Sequence, residues 1–346
     1  MTFNIGKKTI GGERVFIIAE LSGNHGQDID KALKLIELAA EAGVDAIKLQ
    51  TYTPDTMTLN SDNDEFHIRD GLWKGETLYS LYEKAYTPWE WTPILMKKAN
   101  ELGMVLFSSP FDVTAVAHLE EHGCPAYKIA SCEITDHILL RRIGETGKPV
   151  IISSGGASLE DLESALNTLR SSGTKDIAML KCTAAYPADP ADANLKTMVH
   201  MRDTFDVIPG LSDHTLGPVV PIAAVALGAK VIEKHFTTSR DSGGVDDAFS
   251  LTPTELSDMV KYVRIAEKCV GTLMYGGVKS EDAAKKYRRS LYSCKDIKSG
   301  DTISDTNIKS IRPGNGLPTK FYPQIIGKRA RVDIDFATPM DWSLIE

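Results

Sequence analysis

The chain has 346 residues, 42% of them hydrophobic and 25% charged, with a net charge of −8, as expected of a soluble globular protein with one large domain and an appendage, or with two domains. The acidic balance argues against nucleic acid as a partner. No run approaches a membrane span, and the apolar stretch of "MTFNIGKKTIGGERVFIIAE" is too short for a secretion signal.

Up to about residue 275, short apolar runs rich in β-branched residues alternate with longer stretches of helical period. The expected strands are "VFIIAE" (15–20), "AIKLQ" (46–50), "VLFSS" (105–109), "AYKIAS" (126–131), "VIISS" (150–154), "IAMLKC" (177–182), "VIPGLSD" (207–213) and "VIEKHF" (231–236). Helix starts are written between them. "TPWE" offers Thr87 as N-cap, Pro88 at the first helical position and Glu90 to complete a capping box, and "SLED" (158–161) and "TPTE" (252–255) repeat the logic. Gly43 in "EAGVDA" and Gly228 in "ALGAKV" stand where helix C-caps need them. Eight strand–helix units over residues 1–275 match a (β/α)₈ TIM barrel. The competing doubly wound open sheet would suit six or seven strands, and no GxGxxG follows the first strand. The connection from about 51 to 86 is too long for a simple loop and is expected to serve a site.

From 276 the pattern changes. Residues 276–289 read as a linker, and 290–346 as a small, mainly β domain broken by "SGD", "PGNG" and "LP" turns. A domain of that size is marginal alone, so docking onto a partner or another subunit is expected. Residues 276–346 hold 13 Lys+Arg against 9 Asp+Glu, so the negative charge lies in the first 275. A basic tail could face an opening that holds an anionic substrate, or could simply be a solvated domain. Five cysteines (Cys124, Cys132, Cys182, Cys269, Cys294) without a CxxC pair fit a reducing cytoplasm.

A barrel carries its chemistry at the C-terminal ends of its strands, and strand after strand ends in polar residues. In chain order these are Glu20; Lys48 and Gln50; Ser108 and Ser109; Lys128, Ser131 and Glu133; Ser153 and Ser154; Lys181, Thr183 and Tyr186; Ser212, Asp213 and His214; and Glu233 and His235. Each has an ordinary explanation alone. All eight ends together do not, because desolvated charges are costly without partners. Lys48, Lys128 and the hydroxyls suit a phosphate and a carboxylate. His214 and His235 suit either a divalent metal or a hydrogen-bonded core pair. Glu20 and Glu133 are candidate acid–base groups. In "VIEKHF", alternation puts Glu233 and His235 on one face and Lys234 on the other, which leaves a metal site and an ion pair as readings.

The stretches "IIAELSGNHG", "AIKLQTY", "SSPFD", "YKIASCEI", "VIISSGG", "CTAAYPA", "GLSDHTLG", "VIEKHFT" and "IRPGNGL" resemble the sialic acid synthase family, the phosphoenolpyruvate (PEP)-dependent synthases of nonulosonic acids, and "LWKGETLYSLYEKAYTPWEW" (72–91) resembles its pseudaminic acid branch. The resemblance implies that PEP condenses with an open-chain N-acetylated amino sugar, 2,4-diacetamido-2,4,6-trideoxy-L-altrose in that branch, releasing phosphate by C–O cleavage. It implies a divalent ion, Mn²⁺ with Mg²⁺ or Co²⁺ as alternatives, on His214 and His235. Lys48, Ser109, Lys128, Ser131, Ser153 and Ser212 would hold PEP, with Phe111 and Lys181 also at the substrate. Glu20, Gln50, Tyr186, Glu233 and Asp246 would surround sugar and water, which makes Glu233 a substrate or water partner rather than an ion-pair partner. Arg312, in an antifreeze-like SAF domain, would reach the sugar's acetamido group from the other subunit of a domain-swapped homodimer. The sequence departs from the family at Ala184, where sialic acid synthases carry an Asn that helps read the sugar, and at Ser109, where Thr is usual. The alternatives are a synthase of sialic or legionaminic acid, a metal-dependent aldolase using pyruvate, and a binding protein with the barrel as scaffold.

Overall fold

The computed structural model describes residues 1–346 as two units, Met1–Gly271 and Thr272–Glu346. The first opens with an antiparallel hairpin, β1 (Phe3–Ile5) and β2 (Lys8–Ile10). Its apolar face, Phe3, Ile5 and Ile10, joins the core with Phe16, Val105 and Ile208, which start three barrel strands. The hairpin therefore closes the N-terminal end of the barrel.

Eight parallel strands follow: β3 (Phe16–Glu20), β4 (Ala46–Thr51), β5 (Val105–Pro110), β6 (Tyr127–Ile129), β7 (Val150–Ser153), β8 (Ile177–Cys182), β9 (Ile208–Asp213) and β10 (Val231–His235). They pair in sequence order, and β10 closes on β3, with His235 opposite Glu20. All eight expected strands form within two residues of the sequence reading. One set of alternate residues (Ile17, Ala19, Ile47, Leu49, Ile232) packs outward on helices that include Ile29–Ala42 and Pro253–Val270. The other set (Phe16, Ile18, Ala46) fills the barrel and leads to polar residues at its mouth.

Most helix punctuation forms as read. Ser158 with Asp161 and Thr252 with Glu255 make capping boxes, and Gly43 adopts φ 85° at a helix end, in the left-handed region. Thr87 does not cap a helix. A single turn occupies Trp89–Trp91, the helix begins at Thr92, and the Thr87 hydroxyl bonds His25 Nε2 at 3.0 Å instead. No helix is long and apolar enough to cross a membrane.

In the second unit, β11 (Ser290–Ser293) pairs antiparallel with β12 (Ile308–Ile311). Single bridges such as Ile297 with Ile334 and Thr302 with Arg329 extend a mainly β arrangement over a core of Leu291, Ile303, Ile325 and Met340. Residues 276–289 carry a turn, Lys279–Glu281, and a short helix, Asp282–Lys285.

Candidate active site

Four charged side chains meet beneath the barrel mouth. Lys48 Nζ lies 2.8 Å from Glu20 Oε2 and 3.1 Å from Glu233 Oε1. Lys128 Nζ lies 3.6 Å from the same Glu233 oxygen and donates to Ser153 Oγ at 2.6 Å. Ser212 also donates to Glu233, at 3.1 Å. None of the four charged residues is more than 4% exposed, so each depends on the others for compensation. Burial alone would raise the Glu233 carboxyl, but Lys128 and Lys48 hold it down to about 2. Burial lowers Lys48 to about 8, against the pull of Glu233. The expectation that Glu233 is not an ion-pair partner is thereby corrected, because both lysines reach it across the barrel.

Beside Lys128 the wall is polar. Ser131 Oγ accepts from the Gly155 amide at 3.0 Å, and a Cβ on Gly155 would stand 2.6 Å from that oxygen, so the two segments need glycine to approach this closely. Ala184 Cβ borders the same point at 3.1 Å. Glu133 follows on the turn after β6, where burial raises its carboxyl to about 7; its Oε2 has no protein partner.

Opposite lie the histidines, their ring centroids 5.2 Å apart. His214 Nδ1 donates to the Thr183 carbonyl at 2.8 Å, which fixes the orientation of the ring. His235 is held neutral, well below its ordinary pKa, first by burial and then by His214 and the lysines. Its Nδ1 is buried without a hydrogen-bond partner, 3.8 Å from Asp246 Oδ2. Burial raises Asp246 to about 6, although Ser22 bonds it. The loop carrying Asp246 is held by Asn24, whose Oδ1 accepts the Asp246 amide at 3.0 Å and whose Nδ2 donates to the Phe236 carbonyl at 3.0 Å and to Ser250 Oγ at 2.8 Å. Two facing imidazoles, one with an unpartnered buried nitrogen, fit a borderline divalent ion. No cluster of three or more His, Cys, Asp or Glu side chains stands ready to encage one.

These groups line one cavity of about 500 Å³. Lys48, Gln50, Phe111, Lys128, Ser131, Glu133, Ser153, Tyr186, Ser212, His214, Glu233, His235 and Asp246 all border it. The long connection after β4 forms the roof with Ile68, Trp73, Leu78 and Tyr82, as its length suggested. Trp73 Nε1 donates to the Val245 carbonyl at 2.9 Å, and its ring lies 5.9 Å from Tyr186. Glu20 sits below the floor, tied to Lys48. Ser109 is buried in register with Gln50, its Oγ unpartnered.

One expected residue departs from the cavity, and another belongs, as expected, to the second unit. Lys181 is absent from the cavity wall and bonds the Cys182 carbonyl at 2.7 Å and Thr183 Oγ1 at 3.2 Å, because β8 turns Cys182 inward instead. Arg312 stands in the second unit, just after β12. Sequence reasoning missed Ser22, Tyr52, Trp73 and Cys182 on the cavity wall. For Cys182 the signal was parity along β8. For Trp73 only the length of its loop pointed to a site.

Residues 35–275 match the NeuB family model and residues 288–346 the SAF domain model. The chain is 46% identical to a pseudaminic acid synthase of Campylobacter jejuni subsp. jejuni serotype O:23/36 (strain 81-176) over 94% of each chain. It is 42% identical to a pseudaminic acid synthase of Helicobacter pylori (strain ATCC 700392 / 26695), covering 95% of this chain and 97% of that one. Among solved structures, the spore coat polysaccharide biosynthesis protein SpsE of Bacillus subtilis is 33% identical with a TM-score of 0.69, covering 100% of this chain and 99% of the other. A barrel whose mouth gathers buried lysines, carboxylates and a histidine pair thus comes with near full-length sequence agreement, and the chain belongs to the NeuB family.

Proposed function

We propose that the protein is a pseudaminic acid synthase, which condenses PEP with 2,4-diacetamido-2,4,6-trideoxy-L-altrose and water to give pseudaminic acid and phosphate. The observation that carries this reading is the buried Lys48–Lys128 pair beside Ser131 and Ser153, an anion site already compensated by carboxylates that can also manage protons. The relatives' names supply the product, and the geometry gives it a chemistry.

Lys128, Ser153 and Ser131 would receive the phosphate of PEP, and Lys48 with Ser212 its carboxylate. Gln50, Tyr186 and Asp246 would orient the sugar so that its aldehyde carbon faces the enol carbon, which replaces a bimolecular encounter by a held geometry. His214 and His235 would hold a divalent ion, Mn²⁺ being our choice, which when bound supplies Lewis-acid polarisation of the aldehyde oxygen. The π-electron pair of PEP forms the new C–C bond, the aldehyde π pair moves onto its oxygen, and that oxygen takes a proton from solvent. Positive charge then develops at the carbon that bears the phosphate. Glu20 and Glu133, as carboxylates, would stabilise it. A water adds to that carbon and gives up its proton, and Glu133, poised near neutrality, would accept it. The C–O bond then breaks with its electron pair leaving on phosphate, the new hydroxyl gives its proton to that oxygen, and its O–H pair closes the carbonyl of the 2-keto acid.

Ala184 bears on the sugar. Its methyl borders Ser131 and Gly155, so an amide at this position would reach the cavity, and its absence speaks against a sialic acid substrate. Turnover across purified amino sugars, read as phosphate released from PEP, tests the choice. We expect the 2,4-diacetamido-2,4,6-trideoxy-L-altrose reaction to exceed the N-acetylmannosamine reaction by at least about a hundredfold in kcat/KM. The reverse order would refute it. We further propose that the enzyme works in the cytoplasm as a homodimer in which Arg312 of one subunit serves the sugar site of the other.

A further inference from the structure

Strands β9 and β10 carry a buried ion pair on their outward faces, just behind the histidines. The strand register places Lys234 opposite Asp213. Lys234 Nζ donates to Asp213 Oδ2 at 2.8 Å and to the Thr215 carbonyl. The same carboxylate accepts the Thr215 amide at 3.2 Å and its hydroxyl at 2.9 Å. Lys234 is 1% exposed and Asp213 4%, on strand faces otherwise occupied by Leu211, Ile232 and Phe236.

A buried ion pair is a poor device for stability, since well-packed apolar residues of similar volume do as well or better. What this one gives is direction. His214 directly follows Asp213, and His235 directly follows Lys234. The carboxylate closes the 213–215 turn by accepting both the amide and the hydroxyl of Thr215, and the ammonium ties that turn to the neighbouring strand. The backbone under His214 is thereby fixed against the backbone under His235, while the Thr183 carbonyl fixes the His214 ring. We propose that Lys234 and Asp213 are positioning residues that set the spacing of the two imidazoles for a shared divalent ion. This rests on the reading of His214 and His235 as a metal pair.

The test uses the full-length protein with Lys234→Met, Asp213→Asn and the double variant. Asn keeps the turn's acceptor for the Thr215 amide, so that variant retains a route to the folded state. Thermal unfolding identifies the folded variants, and Mn²⁺ affinity is read by electron paramagnetic resonance of the free ion. We expect Mn²⁺ to bind at least about tenfold more weakly in the folded variants, with metal-free PEP affinity unchanged, because Lys48 and Lys128 lie on the inner face. Variants that lose melting temperature but bind Mn²⁺ as the parent does would overturn the proposal and leave the metal pair standing. Parallel loss of PEP and Mn²⁺ binding would overturn it as well, as general damage. A parent protein that takes up no Mn²⁺ would overturn both the metal reading and this one.

Discussion

Replacing Glu133 by Gln should change the shape of the pH profile as well as its height. Burial raises this carboxyl to about 7, so about half of the free enzyme is ionised at pH 7 and about a tenth at pH 6, with each unit below giving a further tenfold. If the carboxylate accepts the proton of the attacking water, kcat/KM falls tenfold per unit below about pH 7. Gln keeps the volume and removes the titration. We expect a loss of about 10²–10⁴ in kcat/KM at pH 8 and a flattened acid limb. Initial rates of phosphate release at subsaturating PEP, from pH 5.5 to 9, measure this, and the substrate's own ionisation cancels between parent and variant. A variant that keeps the parent's limb near pH 7 would remove Glu133 from the proton path. The same shift has a sign for stability. Folded Glu133 holds its proton up to about pH 7, whereas an unfolded chain releases it near 4.3. Its contribution is therefore fully present below the lower value and is lost as pH rises through the upper one, and E133Q should remove that part of the pH dependence.

Lys48→Met leaves Glu20 and Glu233 short of a cation, and breaking a buried pair this way costs about 3–5 kcal/mol. A denaturant melt should show that loss together with a raised PEP KM, and unchanged values of both would deny the network its role. His235→Ala should abolish metal-dependent turnover while PEP binding persists, and near-normal rates at controlled metal concentration would exclude His235. Arg312→Ala should raise the sugar KM by about tenfold to a hundredfold, the worth of a hydrogen bond to a charged group. An unchanged sugar KM and kcat would refute its reach into the site.

The barrel was legible because all eight strands announce themselves by β-branched runs and their polar ends share one register. The same parity pointed Glu233 and His235 inward and Lys234 outward before any partner was known. What parity could not supply was register between strands. Glu233 meets Lys48 and Lys128 only because β4 and β6 face β10 across a closed barrel, and Lys234 meets Asp213 only because β9 is its neighbour. The resemblance places Lys181 at the substrate, yet Cys182 holds the inward position. Thr87 had every local mark of an N-cap, and its hydroxyl was drawn instead to buried His25, a tertiary contact that no local pattern encodes. The N-terminal hairpin went unread because two three-residue strands carry too little periodicity.

The claim that this chain joins PEP to a sugar with C–O cleavage is most directly tested with PEP carrying ¹⁸O in its bridging oxygen. With purified protein, Mn²⁺ and 2,4-diacetamido-2,4,6-trideoxy-L-altrose, we predict one phosphate released per sugar consumed, with the label in phosphate and none in the nine-carbon acid. Label retained in the sugar acid, or phosphate release that proceeds without the sugar, would contradict it.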